Sequence, residues 1–281
     1  MLVYKQYDQS ALDRQYNNRL QTPGYGLHQQ RCEDESRKTE QEYHAVKDIA
    51  YGTDSRELLD IYPSDKPNSK TLVFIHGGYW RAMDKSSFQF VAGAFHAYST
   101  TTVLISYPLA PAASIDAIVS SCQQAMDWVF NNIANYNGDP EQVYVVGHSA
   151  GGHLATMLLT NQNCSNPIKG ACALSGLFNL IPIQKAELNN VLHMDEEAAL
   201  RNSPVNHHPG YSVPMILAVG SEETDEFKAQ SRELYDCWKD KLPIQLIEIE
   251  GGNHYSMIEY FTDTKSHLHI LMRAMMLGGV V

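Results

Sequence analysis

The chain has 281 residues, 43% of them hydrophobic, enough for one large core or at most two smaller ones. Lys and Arg number 21 against 32 Asp and Glu, and the formal charge of −11 argues against nucleic acid or an anionic membrane surface, both of which reward basic patches. No stretch approaches the roughly 18 apolar residues of a membrane span, and the polar N-terminus offers no apolar leader segment, so cytoplasmic residence is the expectation.

Residues 1–40 are polar, with helical punctuation around Ser10 to Tyr16, and read as an N-terminal arm packed on the rest of the chain. Segments 42–51 and 57–62, separated by the Gly52 turn, have the pattern of a hairpin at a sheet edge. Apolar runs then recur at 71–75, 102–106, 142–146, 170–175, 214–219 and 244–249. Near-continuous apolar runs are what strands buried on both faces of a parallel sheet require. Candidate helices lie between them at 87–98, 112–132, 151–160 and 226–239. The alternation predicts one α/β domain over residues 1–281, a mainly parallel central sheet flanked by helices. Residues 177–210 break the rhythm and are expected to form a small, cap-like helical insertion near the active face. The five cysteines (Cys32, Cys122, Cys164, Cys172 and Cys237) are odd in number and scattered, as reduced thiols are, and Asn163-Cys-Ser165 reads as a chance glycosylation match.

In an open α/β sheet, ligands gather at the carboxyl ends of the strands. Four such positions carry chemistry. After run 71–75 comes His76-Gly-Gly-Tyr-Trp80, a glycine turn able to aim the N–H groups of Gly78 and Tyr79 at an oxyanion. Tyr79 and Trp80 either line a pocket, with His148, or belong to plain core. After run 142–146 comes Gly147-His-Ser-Ala-Gly151, a strand-to-helix Gly-x-Ser-x-Gly that presents Ser149 as a nucleophile, with the Ala150 amide facing any oxyanion. After run 214–219 stand four carboxylates, Glu222, Glu223, Asp225 and Glu226. Most should be solvated groups at the start of the next helix, with Thr224 or Asp225 as its cap. Glu223 is the preferred triad acid and Asp225 the alternative. After run 244–249 comes Glu250-Gly-Gly-Asn-His254, where His254 sits late enough to serve as general base. His153, one turn past Ser149, reads as packing. His207-His208 and the pair His267 and His269 lack a third ligand at a recognised spacing, so no metal is expected.

Taken together, Gly-His-Ser-Ala-Gly, His-Gly-Gly-Tyr-Trp and Gly-Gly-Asn-His make the chain resemble an α/β-hydrolase of the kynurenine formamidase (arylformamidase) and carboxylesterase group. Tyr16-Asn-Asn-Arg19 with Pro23 resembles the N-terminal arm of that group, and Glu226-Phe227 with Gln230-Ser231 its stretch after the acid. The resemblance implies a Ser149–Glu223–His254 triad, an oxyanion hole at Gly78, Tyr79 and Ala150, no cofactor, and a small-molecule ester or amide substrate such as N-formylkynurenine, with a homodimer left open. Eukaryotic formamidases carry Asp where this chain has Glu223. A broad short-chain carboxylesterase with no part in tryptophan catabolism is the rival within enzymes, and a binding-only protein on the same fold is the rival outside them.

Overall fold

The computed structural model describes residues 1–161 and 168–279, so Cys164 and the Asn163-Cys-Ser165 match lie outside the described residues. A short hairpin, β1 (Leu2–Tyr4) and β2 (Tyr7–Asp8), leads into α1 (Gln9–Tyr16), α2 (Asn18–Gln21) and α3 (Tyr25–Glu42). Strands β3 (Val46–Ala50), β4 (Leu58–Tyr62) and β5 (Ser69–Ile75) follow, then α4 (Gln89–His96), β6 (Thr100–Ile105) and α5 (Ile115–Asn132). The second half runs β7 (Gly138–His148), α6 (Ala150–Leu159), β8 (Gly170–Leu174), then the short helices α7 (Ile181–Lys185), α8 (Asn189–Leu192) and α9 (Glu196–Arg201). It closes with β9 (Met215–Gly220), α10 (Asp225–Trp238), β10 (Ile244–Ile249), α11 (Ser256–Thr262) and α12 (His267–Met276).

Strands β3 to β10 form one eight-stranded sheet in the order β10-β9-β8-β7-β5-β6-β4-β3. All pairings are parallel except those of β4 with β3 and β6, which makes the expected edge hairpin the antiparallel margin of a parallel sheet. The two-residue period of a strand divides the core in two. Val73, Ile75, Val145, Ala171 and Leu217 face a cluster closed by α5, α6 and α10, whereas Leu72, Phe74, Val146, Cys172 and Ile216 face α4, α11 and α12.

Helix boundaries follow local chemistry. The expected helix at 112–132 begins at Ile115 because the Ser114 hydroxyl accepts from the Ala117 N–H at 3.2 Å, and it buries Ile118, Cys122, Ala125 and Val129 along one stripe. The expected helix at 87–98 is shorter: a 3₁₀ turn over Lys85–Phe88 precedes α4, and Ser99 stops the chain in the left-handed region. The 18-residue α3 falls where only an arm is expected. It has almost no apolar stripe to read, burying Ser36 and Thr39 against α4, where Gly93 lets it come close: a Cβ there would lie 2.5 Å from Thr39 Oγ1.

Candidate active site

β7 delivers the chain to Ser149 and α6 carries it away, with Ser149 held at φ +57°, ψ −120°. That backbone is costly for an L-residue, on the order of 1–3 kcal/mol, and persists only where the surroundings enforce it. They do so by contact. A Cβ on Gly147 would lie 1.9 Å from the Gly151 carbonyl oxygen, and one on Gly151 would lie 2.0 Å from that of Ile75. The Ser149 N–H is pinned to the Leu174 carbonyl at 2.8 Å, so the elbow is tied to β5 on one side and β8 on the other.

Ser149 Oγ lies 3.0 Å from His254 Nε2, and Glu223 Oε2 lies 2.8 Å from His254 Nδ1. A carboxylate only accepts, so Nδ1 carries the imidazole proton and Nε2 is left to accept from the serine. Glu223 is itself held from the other side: its Oε1 accepts from the Gly220 N–H at 2.8 Å and from the Ser175 hydroxyl at 2.5 Å. All three side chains are buried. Asp225 is 82% exposed in the first turn of α10, near Lys228, and Thr224 rather than Asp225 caps that helix. Of the four carboxylates in this loop, Glu226 departs from the expectation of a solvated group. It is buried because the N-terminal arm lies over it, with Lys5 Nζ at 3.3 Å and the Tyr16 hydroxyl donating at 3.3 Å.

The His76-Gly-Gly-Tyr-Trp80 turn runs three consecutive residues through positive φ: Gly78 at +103°, Tyr79 at +49° and Trp80 at +57°. Among the described residues, the N–H groups of Gly78, Tyr79 and Ala150 find no intramolecular acceptor. Tyr79 lines the cavity beside Ser149, as does His148, whose Nε2–H donates to the His254 carbonyl at 2.8 Å. Burial, with His254 beside it, pushes the His148 imidazole down to about 3, so it stays neutral. Trp80, expected with them, does not line the cavity. It is fully buried, and its indole N–H donates to His153 Nδ1 at 3.2 Å. His153 in turn donates from Nε2 to the Asn202 carbonyl at 2.7 Å, and burial lowers it to about 4, so it joins the turn to the segment after α9. His76 is likewise neutral, pushed down to about 4 by burial, stacked on Tyr107 and donating from Nδ1 to its neighbour's carbonyl at Gly77. His207 Nε2 lies 2.7 Å from the Arg201 carbonyl, and His269 Nδ1 lies 3.0 Å from that of Phe261.

The cavity over Ser149 holds about 970 Å³. Its outer wall is built of Arg19, Tyr25 and His28 from the arm, Leu188 and Val191 from the 177–210 segment, and Tyr255 beside His254. None of these sits in a motif with a spacing rule. The resemblance of the arm is the one available signal.

The BD-FAE family model matches residues 59–237. Kynurenine formamidases of Salmo salar and Danio rerio are 30% and 32% identical over 241 and 230 residues, spanning 81% and 78% of this chain and 81% and 77% of theirs. A Silicibacter protein assigned as a thioesterase superposes with a TM-score of 0.85 at 26% identity, over 94% of this chain and 99% of its own. Fold and kinship together define an enzyme, a hydrolase with the α/β-hydrolase fold. The chain belongs to the kynurenine formamidase family.

Proposed function

We propose that Ser149, His254 and Glu223 form the triad of a serine hydrolase that cleaves a small carboxylic ester or an aryl formamide through an acyl-enzyme. The observation that carries this is the unbroken pair of hydrogen bonds from Glu223 through His254 to Ser149, opening on a cavity. As Ser149 Oγ attacks the acyl carbon, His254 Nε2 takes its proton, and the imidazolium is stabilised by Glu223 at Nδ1. The carbonyl electron pair moves onto oxygen, where the N–H groups of Gly78, Tyr79 and Ala150 receive it. On collapse, the C–O or C–N bond breaks and His254 returns the proton to the departing alcohol or amine. Water, deprotonated by the same histidine, then releases the acid and restores Ser149.

Kinship with kynurenine formamidases favours a formamide substrate, N-formylkynurenine foremost. The elbow chemistry serves a broad short-chain carboxylesterase equally. Comparing kcat/KM on N-formylkynurenine with that on short p-nitrophenyl esters separates the two: preference for the formamide supports the first, and preference for the esters the second. Cys32, Cys122, Cys172 and Cys237 are free thiols. Among the described residues, no helix is long and apolar enough to cross a membrane.

A further inference from the structure

The oxyanion donors come from two separate stretches of chain, Gly78 and Tyr79 on the glycine turn and Ala150 at the start of α6, so their register has to be held by something between them. The Tyr79 N–H shares its peptide with the Gly78 carbonyl, which accepts from the Arg81 and Ala82 N–H groups at 3.1 Å each. In a trans peptide the N–H points opposite to the carbonyl, so this small loop sets the direction of the Tyr79 donor. Trp80 is its middle residue. It stands at φ +57°, strained for a residue with a Cβ, and such a conformation persists only where the surroundings enforce it. The Trp80 carbonyl accepts from the Ala110 N–H at 2.8 Å, and its buried indole N–H donates to His153 Nδ1 at 3.2 Å, the two rings meeting edge to face with centroids 5.1 Å apart.

His153 lies on the first turn of α6, and its backbone N–H donates to the Ser149 carbonyl at 3.2 Å. An indole nitrogen only donates and a carbonyl only accepts, so between Trp80 and the Asn202 carbonyl the imidazole has one permitted state, neutral, bare at Nδ1 and protonated at Nε2. Burial favours the same neutral form. Asn202 is fixed in turn: its side chain donates to Asp116 Oδ1 at 3.0 Å and to the Ala198 carbonyl at 2.9 Å, and Arg201 pairs with Asp116 at 2.8 Å. The imidazole is therefore a strut held at both ends, fully buried and outside the cavity lining.

We propose that His153 is a positioning residue for the hydrolysis: through Trp80 it keeps the Gly78 and Tyr79 N–H groups in register with that of Ala150, so that all three converge on the oxygen of the tetrahedral intermediate. It touches no reacting atom. Its effect falls on the charged intermediate rather than on binding of the uncharged carbonyl compound. The inference rests on Ser149 and His254 acting as proposed.

The test compares two competitive inhibitors, acetophenone and trifluoromethyl phenyl ketone. The first binds as an intact ketone. The second takes Ser149 Oγ onto its carbonyl carbon: the π pair moves onto oxygen, the serine proton goes to His254 Nε2, and no group leaves. The ratio of the two Ki values therefore reads the oxyanion hole and does not depend on how much of a preparation is folded. His153→Phe and Trp80→Phe break the same hydrogen bond from opposite ends. Each is expected to lower the preference for the trifluoro ketone, and kcat on p-nitrophenyl acetate, by about tenfold, with the Ki of acetophenone within about threefold of wild type. The double variant should fall no further than the lower single one, because the same bond is lost in all three. Whichever single variant folds is sufficient for the ratio. A wild-type ratio in that variant, a loss shared equally by the two ketones, or losses that multiply in the double variant would overturn the proposal. Ser149→Ala tells the two levels apart: if it keeps turnover and the wild-type ratio, the nucleophile assignment fails and the inference falls with it, whereas an inactive Ser149→Ala beside an unchanged ratio in His153→Phe strikes the inference alone.

Discussion

The Tyr79 hydroxyl donates to the backbone carbonyl of Tyr16 at 2.7 Å, which fastens the glycine turn beside Ser149 to the N-terminal arm. Asn18 Nδ2 donates to the same hydroxyl at 3.2 Å. The arm also holds the loop that carries Glu223: Thr224 Oγ1 donates to the Gln15 carbonyl at 2.8 Å and the Glu226 N–H to the Gln15 side chain at 3.1 Å. Residues 15–18 therefore grip two loops that must be in register with Ser149. Tyr79→Phe removes both bonds of the hydroxyl while leaving the ring, and should lower kcat by about tenfold with a smaller change in KM, at a stability cost of about 1 kcal/mol. Steady-state kinetics with a thermal melt check it; an unchanged kcat would show that the turn holds its shape without the arm.

Glu223 and Asp225 separate cleanly. Glu223→Gln replaces the acceptor at His254 Nδ1 with an amide and should cost roughly 10³–10⁴ in kcat. Asp225→Asn alters an exposed side chain and should stay within about twofold. Equal losses from the two substitutions would mean that the acid is not where the hydrogen bonds put it.

The elbow tolerates no methyl group at Gly151. A Cβ there would sit 2.0 Å from the Ile75 carbonyl oxygen, which is backbone in a central strand and cannot step aside. Gly151→Ala should destabilise the fold by about 3 kcal/mol or leave it insoluble. A melting temperature equal to wild type would show that α6 shifts freely against β5.

The strands are legible in the sequence because a parallel sheet buried on both faces leaves unbroken apolar runs, and the elbow because its glycines are forced by contacts between neighbouring backbones. Trp80 is ambiguous for a physical reason. In a turn with successive positive φ values, side-chain direction does not follow from sequence, and the indole goes to His153 rather than to the cavity. Helix α3 is hidden because its buried face is Ser36 and Thr39 rather than leucine. Glu226 misleads for a related reason: its cover, Lys5 and Tyr16, lies more than 200 residues away in sequence.

Three buried histidines set a direction for acid stability. His76 and His153 are lowered from 6.5 to about 4, and His148 to about 3, each mainly by burial. The unfolded chain therefore binds protons below pH 6.5 that the folded chain refuses. Their contribution is complete above that pH and is lost as pH falls toward about 4, at about 1.4 kcal/mol per pH unit for each histidine. Urea unfolding at pH 7, 6 and 5 should show the midpoint falling. A flat profile over that range would mean that these imidazoles protonate without leaving the core.

The nucleophile is most directly tested by covalent labelling of the native enzyme with a fluorophosphonate, followed by peptide mapping. The expected result is one adduct, on the Ser149 Oγ that faces His254 Nε2 at 3.0 Å, and none on Ser149→Ala, with ester turnover lost in parallel. An unlabelled native enzyme, or an adduct on any other residue, would contradict it.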